Sequence, residues 1–369
     1  MKKIHVLNSV SVMNRAGQET LLMNVLRNID RNEIQYDFLC SSTIKGDYDD
    51  EIEKLGSNIF HLSKNCLKKF FILRDLYMLY TIYLFFCKHR DIDIFHIHNY
   101  HAFSAFLYIL GAKMAGVHVV ILHSHNSSAP HPKLHCFFRK VIKNFRIHKF
   151  ACSRAAAQWM YGDDCDDVVI VKNGIILKDF TYREEWRALR REFGVDESTL
   201  LVGHIGRFNV QKNHTFLIDV FSEILKTRKD AKLLLIGRGE LELEVKEKVH
   251  SLGLDDNVVF AGVRSDVNKL LSCIDVFLFP SLFEGLPVVL IEVQAASLPC
   301  VASDTISREA GITSYVNFLS LQLPVSTWAD NVLQFSSINR KSTHQVIQKE
   351  GFDICETTQR LCDFYCHLL

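Results

Sequence analysis

Short apolar runs recur along the whole chain at intervals that suit alternating strands and helices. The first series begins with IHVLNSV at 4–10 and ends with VVIVKNG at 168–174, and the second extends from LLVGHIG at 200–206 to PCVASD at 299–304. Helix-length segments separate most of these runs, which is the pattern of βαβ units and parallel sheets. A chain of 369 residues also exceeds what one hydrophobic core usually supports. The sequence therefore predicts an α/β protein with two doubly wound parallel sheets in tandem.

Two glutamates, Glu284 and Glu292, flank the start of a predicted helix in the second half of the chain. The apolar segment DVFLFPS at 275–281 leads into a loop that holds Glu284, and Pro287 stands where the first helical turn would begin. The free N–H groups of a helix start suit a diphosphate, whereas a carboxylate that accepts two hydrogen bonds suits the hydroxyls of a sugar. The segment therefore predicts a sugar-nucleotide site, although two solvated acids on a surface helix would show the same spacing.

Two cations, Arg207 and Lys212, follow the first apolar run of the second series. Ligands of open α/β sheets bind outside the carboxyl ends of the strands, so we expect both cations to converge with Glu284 and Glu292. An arginine can clamp a phosphate bidentately and a lysine acts as a point charge, and both would stabilise the charge that grows on a departing diphosphate. The alternative is a pair of ordinary exposed cations near a helix start.

These motifs resemble those of the retaining GT-B glycosyltransferases, a group similar to glycosyltransferase family 4. The resemblance rests on the Glu-x7-Glu spacing and on GRFNVQKNH, while MNRAGQET, KGDYDDEI, HSHN and the terminal FDI segment look closest to bacterial capsular and exopolysaccharide enzymes. It implies a GT-B fold, in which two Rossmann-like domains face each other across a cleft. We expect an acceptor-side domain over 1–172, a nucleotide-sugar-binding domain over 173–350, and a helix over 351–369 that crosses back to the first domain.

The resemblance also implies roles for residues of the second domain. Glu284 would contact the transferred sugar and Glu292 the nucleotide ribose, while Arg207 and Lys212 would hold the diphosphate. The remaining donor-binding residues predicted at the helix start are Gly285, Leu286 and Val288. Backbone groups near Val263 and Arg264 are expected to contact the nucleobase.

In the first domain, the strand–helix turn at Gly17 can bring backbone N–H groups close to a phosphate or sugar. The family usually shows two glycines before its glutamate, whereas Ala16 and Gly17 precede Gln18 and Glu19 here, so a purely structural role for Gly17 stays open. Asn173 resembles the asparagine of the family's turn between domains and would lie in the cleft. Asn-Gly is also simply a favoured turn pair.

Histidines gather after two predicted strands of the first domain. His96, His98 and His101 follow one strand, and His123 and His125 lie in the segment HSHN after the next. HSHN resembles the family's histidine close to the transferred sugar, which assigns that role to His125 first and His123 second; a histidine that only caps a strand end is the alternative. A zinc site needs three or four convergent ligands, and the histidine spacing shows no such pattern, so we expect no metal.

The family resemblance implies transfer of a hexosyl or N-acetylhexosaminyl group from a nucleoside-diphosphate sugar, with a UDP-linked donor expected and no cofactor. The expected acceptor is a lipid-linked glycan or oligosaccharide in capsule or exopolysaccharide synthesis. Retention of anomeric configuration follows from the family. The sequence offers no carboxylate pair for the double displacement of a retaining hydrolase, whose carboxyls lie about 5 Å apart. We therefore expect front-face attack, with a donor phosphate oxygen helping to take the acceptor proton.

Charge is unevenly distributed along the chain. Residues 1–172 carry 22 Lys or Arg against 16 acids, and residues 173–369 carry 21 against 26. The stretch 133–154 has seven cations, no acid and interleaved phenylalanines, which predicts peripheral contact with an anionic membrane or an acidic acceptor. The basic outer face of an ordinary helix is the alternative. Nucleic acid is not expected, because no nucleic-acid-binding module accompanies this stretch.

Cysteine usage and the start of the chain indicate the cytoplasm, with peripheral association at the inner face of the membrane. The eleven cysteines show no CxxC pair, and the opening MKKIHVLNSV leads directly into a strand. Residues 70–87 are the best membrane-span candidate, but Arg74 and Asp75 leave too short an apolar run to cross a bilayer. We therefore expect a buried or interfacial helix there.

Two other functions remain compatible with the sequence. A sugar-nucleotide epimerase can share this double fold, but it would need further acid and base carboxylates near the sugar. A catalytically silent nucleotide-sugar-binding subunit is the second alternative, and the presence of all four charged site residues argues against it.

Overall fold

The computed structural model describes residues 3–15, 17–62, 71–99, 101–127, 130–163 and 165–369, without the side chains of residues 71 and 72. It divides the chain into two compact units. One contains residues 1–174 together with 353–369, and the other contains residues 175–352. The boundaries expected from the sequence, after residues 172 and 350, lie two residues before these.

The first unit is built on a seven-stranded parallel sheet with the order β3-β2-β1-β4-β5-β6-β7. Its strands are β1 (Ile4–Val10), β2 (Ile34–Cys40), β3 (Ile59–His61), β4 (Ile94–Asn99), β5 (Val119–Ser124), β6 (His148–Ala151) and β7 (Val169–Ile170). The helices that alternate with these strands are α1 (Gly17–Asn28), α2 (Asp49–Lys54), α3 (Phe71–Lys88), α4 (Ala102–Met114), α5 (Pro132–Ile142) and α6 (Arg154–Tyr161). The central strands β1, β4 and β5 are almost entirely buried, as expected where helices cover both faces of a parallel sheet.

The second unit is built on a six-stranded parallel sheet with the order β10-β9-β8-β11-β12-β13. Its strands are β8 (Leu200–Ile205), β9 (Ala231–Ile236), β10 (Val258–Gly262), β11 (Val276–Phe279), β12 (Cys300–Ser303) and β13 (Val316–Leu319). Its helices are α7 (His214–Thr227), α8 (Glu242–Ser251), α9 (Val267–Cys273), α10 (Val288–Ala295), α11 (Val325–Ser336) and α12 (His344–Lys349). Trp328 and Phe221 are buried in the core that joins this sheet to α7 and α11.

The last helix, α13 (Ile354–His367), belongs to the first unit and packs against α1. Its Tyr365 is fully buried and its hydroxyl lies 2.8 Å from Nδ1 of His96 on β4. Gly174 makes this return possible, because a Cβ there would lie 2.5 Å from Oγ1 of Thr357 and 2.8 Å from Cα of Ile354. The predicted fold class, with two doubly wound sheets and a crossing terminal helix, is therefore confirmed.

The candidate membrane segment forms α3, an amphipathic surface helix. Ile82 and Phe86 are buried, whereas Leu73, Leu76 and Tyr80 are exposed. Among the described residues, the structure has no helix whose length and apolar character would carry it across a bilayer. Residue 70, with which the predicted segment begins, lies outside the described residues.

Candidate active site

The candidate site of the second unit lies where the strand order reverses. β8 and β11 are hydrogen-bonded neighbours. Arg207 and Lys212 follow the carboxyl end of β8, and Glu284 follows the carboxyl end of β11. Such a switch point is where open α/β sheets bind ligands. The backbone is closely packed here: Gly237, after β9, has φ of 139°, and a Cβ on it would lie 2.0 Å from the carbonyl oxygen of Gly206. A side chain at residue 237 would therefore displace the loop that carries Arg207.

Backbone and amide contacts hold the two loops together. The Nδ2 group of Asn213 donates to the carbonyl of Pro280 at 3.2 Å, and the N–H of Leu282 donates to the carbonyl of Gln211 at 2.8 Å. The side chain of Asn209 caps the short turn 210–212 by accepting from the N–H of Lys212 at 3.1 Å. The loops after β8 and β11 therefore form one connected structure.

Lys212 and Glu284 are paired across these loops. Nζ of Lys212 lies 2.6 Å from Oε1 of Glu284, and the two side chains are only 14% and 8% exposed. Nε2 of Gln211 donates to Oε2 of Glu284 and to the carbonyl of Phe283, each at 3.0 Å. Nζ of Lys212 also lies 4.7 Å from the ring centroid of Phe279. Both oxygens of the Glu284 carboxylate are thus fixed in position.

Glu292 lies on α10, which begins one residue after Pro287. Its side chain has no hydrogen-bond or ion-pair partner within the part of the chain that the structure describes, and burial raises its pKa to about 7. Leu286 is buried beside the helix start, while Gly285 and Val288 are half-buried. A carboxyl group without a protein partner is suited to accept hydrogen bonds from the hydroxyls of a ligand.

Arg207 is engaged elsewhere in this structure. Its guanidinium lies 3.1 Å from Oε2 of Glu240, and the two side chains are 70% and 55% exposed. A backbone hydrogen bond, and next to it the guanidinium of Arg207, lowers the pKa of the Glu240 carboxyl. The structure therefore joins Lys212 to Glu284 directly, and the convergence of Arg207 with them stays a prediction.

The guanidinium of Arg264 is also paired. It donates to Asp266 at 2.8 Å and to Glu192 at 2.5 Å, and hydrogen bonds to these carboxylates raise the Arg264 pKa. Val263, its neighbour, is 54% exposed. Contact of the backbone of this segment with a nucleobase remains a prediction.

In the first unit, four histidines pack against each other at the ends of β4 and β5. His98 is the register partner of His123, and His96, His98, His123 and His125 are all buried. Burial lowers the pKa of each, that of His125 to about 3. One nitrogen each of His96, His98 and His123 lies within 4.8 Å of the other two.

Three of these histidines converge although their spacing along the chain gives no such signal, because strands far apart in sequence are neighbours in the sheet. The rings are hydrogen-bonded to one another: Nδ1 of His98 lies 2.9 Å from Nε2 of His125, and Nδ1 of His123 lies 3.3 Å from Nε2 of His96. The nitrogens Nε2 of His123 and Nδ1 of His125 have no partner among the described residues. The absence of a metal requirement stays a prediction.

The other two predicted residues of the first unit lie at element boundaries. Gly17 is the first residue of α1 and is exposed, while Ala16 lies outside the described residues. Burial raises the pKa of Glu19, in the first turn of α1, to about 7. Asn173 is buried, and its Oδ1 has no partner among the described residues. Their contact with a ligand remains a prediction.

The structure adds three polar residues that the sequence analysis did not single out. Gln211 holds Glu284, Glu240 pairs with Arg207, and Asn8 on β1 lies 3.2 Å from Nε2 of His98. A signal existed for Gln211, since it lies inside GRFNVQKNH. Nothing in the local sequence distinguishes Glu240 or Asn8, because their partners lie 33 and 90 positions away.

Solved structures with the same architecture place this fold in the GT-B class. The crystal structure of Anabaena Alr3699/HepE in complex with UDP and glucose has a TM-score of 0.79 at 15% identity and covers 98% of this chain and 99% of its own. Sucrose-phosphate synthase from Thermosynechococcus elongatus has a TM-score of 0.80 at 15% identity, with 99% of each chain covered.

Sequence comparisons then identify the family. The model described as glycosyl transferases group 1 matches residues 199–335, and that of glycosyltransferase family 4 matches residues 15–179. The putative glycosyltransferase EpsF of Bacillus subtilis is 31% identical over 98% of this chain and 96% of its own length. The chain therefore belongs to this family of glycosyltransferases.

Two further relatives bear on the type of glycan. The capsular polysaccharide biosynthesis glycosyltransferase CapH of Staphylococcus aureus is 28% identical, with 98% of each protein covered. The UDP-Gal:alpha-D-GlcNAc-diphosphoundecaprenol alpha-1,3-galactosyltransferase of Escherichia coli is 23% identical, with 81% of each covered.

Proposed function

We propose that the enzyme transfers a hexosyl or N-acetylhexosaminyl group from a UDP-sugar to a lipid-linked glycan in capsule or exopolysaccharide synthesis, with retention of anomeric configuration. The observation that carries the proposal is the Lys212–Glu284 pair at the switch point of the second sheet, with Glu292 on the following helix, whose carboxyl group has no partner in the described part of the chain. A cation and two carboxylates in this arrangement supply separate partners for a diphosphate and for hydroxyl groups.

Each part of the donor would bind a residue of complementary charge or hydrogen-bonding capacity. Lys212 would turn from Glu284 toward the diphosphate, and Glu284 would then accept hydrogen bonds from the transferred sugar. Glu292 would accept from the two ribose hydroxyls, which a carboxylate can do with both oxygens. UDP as the nucleotide part of the donor is supported by the UDP complex of a structural neighbour and by the UDP-galactose donor of the Escherichia coli relative.

The leaving group would be stabilised by Lys212, joined by Arg207 once that side chain leaves Glu240. Preorganised cations stabilise the charge that develops on the departing diphosphate oxygen, and removal of one such group typically costs about 100-fold or more in turnover. The acceptor hydroxyl would attack from the same face, passing its proton to a donor phosphate oxygen. Since Lys212 and Arg207 would then both complement the diphosphate, the reaction is proposed to need no metal or other cofactor.

The acceptor is proposed to be presented at an anionic membrane surface, which would place the enzyme at the cytoplasmic face. Helix α5 exposes Leu134 and Phe137, which are 41% and 61% accessible, on a segment that also carries Arg139 and Lys140. Helices α3, α4 and α5 pack in sequence, and α3 exposes further apolar side chains. Apolar groups interleaved with cations suit insertion at the headgroup boundary.

The test is a transfer assay with purified enzyme, a panel of UDP- and GDP-sugars and an undecaprenyl-diphosphate-linked saccharide. The expected result is an extended acceptor with the anomeric configuration of the donor, read by NMR, at a rate unchanged by EDTA. An inverted linkage would overturn the retaining mechanism. Conversion of the donor without acceptor would indicate an epimerase, and donor binding without turnover across the acceptor panel would indicate a silent subunit.

A further inference from the structure

Four buried groups of the first unit form a hydrogen-bonded chain that ends at an unpartnered nitrogen. Nδ2 of Asn8 donates to the carbonyl of Asp37 at 3.2 Å, and Oδ1 of Asn8 lies 3.2 Å from Nε2 of His98. Nδ1 of His98 lies 2.9 Å from Nε2 of His125, whose own Nδ1 has no partner among the described residues. Asn8 is fully buried, and His98 and His125 are 6% and 8% exposed.

The direction of every hydrogen bond in this chain is determined by its first member. The Asp37 carbonyl can only accept, so it fixes the orientation of the Asn8 amide and places Oδ1 toward His98. That oxygen can also only accept, so Nε2 of His98 must carry the proton. Burial keeps both imidazoles neutral by lowering their pKa values, and a neutral imidazole has one donor and one acceptor nitrogen.

The tautomer of His98 in turn determines the tautomer of His125. Because Nε2 of His98 is protonated, its Nδ1 carries the lone pair and accepts from Nε2–H of His125. Nδ1 of His125 is then left as a lone pair that no donor of the described residues reaches. A buried acceptor without a partner is unfavourable until a ligand supplies a donor.

We propose that Asn8 and His98 are positioning residues that fix the tautomer of His125, so that His125 Nδ1 accepts a hydrogen bond from a ligand hydroxyl. The identity of that ligand as a sugar rests on the proposed function. Asn8 and His98 act only through His125. The arrangement selects against a ligand that offers an acceptor, such as a carbonyl or ether oxygen, at this position.

The tautomer can be tested without any substrate. Ring-nitrogen NMR of the full chain labelled with ¹⁵N-histidine, assigned with a His125→Gln variant, should show Nε2 protonated and Nδ1 unprotonated in the wild type. Asn8→Leu removes the group that sets the direction, so His125 should become a mixture of both tautomers. Tyr365→Phe is the matched control, because it removes a hydrogen bond to His96 in the same cluster and should leave the His125 signals unchanged. A protonated Nδ1 in the wild type would overturn the inference.

The functional consequence is a second, separate readout. Among UDP-sugar analogues that each lack one hydroxyl, one should be used about fivefold to tenfold less well than the parent by the wild type, as expected for one hydrogen bond. Asn8→Leu should lose most of that discrimination while Tyr365→Phe retains it. Equal discrimination by Asn8→Leu would contradict the positioning role even if the variant shows mixed tautomers. If no sugar nucleotide binds at all, the proposed function fails, whereas the wild-type NMR result still decides the tautomer.

Discussion

Lys212 and Glu284 form a largely buried ion pair, 2.6 Å from Nζ to Oε1, between loops that follow two adjacent strands of one sheet. In this arrangement the cation proposed for the diphosphate is neutralised by the carboxylate proposed for the sugar. If the proposed function holds, binding of the donor would divide the pair, giving each member a new partner of suitable chemistry. Until the donor binds, each of the two groups would neutralise the charge of the other.

Replacing the lysine should affect turnover far more than folding. We expect Lys212→Ala to lower kcat at least about 100-fold, because the charge on the departing diphosphate loses a preorganised partner. The measurement is steady-state transfer with the best UDP-sugar, with circular dichroism as a check of folding. The control is Lys226→Ala, which removes an exposed lysine paired with Glu223 on α7. Equal kcat values for the two variants would rule out this role for Lys212.

The carboxyl group of Glu292 should make stability depend on pH. Burial raises its pKa to about 7 from an ordinary value of 4.5, so the folded chain holds a proton that the unfolded chain releases between these values. The contribution of Glu292 is therefore most favourable below about pH 4.5 and is lost as the pH rises through about 7. Glu292→Gln should remove this part of the pH dependence.

Thermal unfolding between pH 5 and 8 checks this prediction. The Tm of Glu292→Gln, relative to that of the wild type, should increase with pH up to about 7 and level off above it. Saturating UDP should reduce the difference, since ribose hydroxyls that donate to the carboxylate favour its ionised form. A Tm difference that stays constant with pH would contradict the raised pKa.

Gln211 should orient Glu284 without contacting the donor. Its Nε2 donates to both Oε2 of Glu284 and the Phe283 carbonyl, so Gln211→Leu should remove one of the hydrogen bonds that orient the carboxylate. We expect roughly a 10-fold loss of kcat, which corresponds to about 1.4 kcal/mol, with a smaller change in KM for the donor. Gln348→Leu, at an exposed position of α12, should show no change. A loss confined to KM would instead indicate direct donor contact.

Glu240 should compete with the donor for Arg207. Because the guanidinium is paired with an exposed carboxylate, Glu240→Gln should free it and lower the donor KM by a few fold at low salt, with little effect at high salt. Arg207→Ala should weaken donor binding and abolish the benefit of Glu240→Gln in the double variant. Additive effects of the two substitutions would show that the residues act independently.

The exposed face of α5 should determine membrane contact. Phe137→Glu removes an accessible aromatic ring and adds a charge of the wrong sign for an anionic surface. Cosedimentation with vesicles of phosphatidylglycerol should decrease at least several fold, while turnover of a water-soluble acceptor stays unchanged. Met114→Glu provides a comparison at an exposed apolar residue of α4. Equal binding by wild type and Phe137→Glu would exclude α5 as the contact surface.

Much of the architecture could be predicted because each buried parallel strand appears in the sequence as a short apolar run. The two predicted series of apolar runs match β1 to β12 within a few residues. β13 was missed because Val316–Leu319 is only half-buried and lies among polar residues. These four residues form a strand because they pair with β12, although their own sequence does not predict one.

The candidate site was only partly predictable. The start of α10 after Pro287 and the proximity of Lys212 to Glu284 follow from a local motif and a general rule for sheets. The pairing of Arg207 with Glu240, and the convergence of the histidines, depend on register between elements far apart in sequence. Spacing along the chain carries no signal for such contacts.

The burial of Tyr365 beside His96 has a consequence for synthesis on the ribosome. The sheet of the first unit is synthesised early, but the side chain that covers His96 follows the whole of the second unit in chain order. The histidine cluster can therefore close only after the second unit has been synthesised. A truncation that removes α13 would leave the imidazole of His96 uncovered.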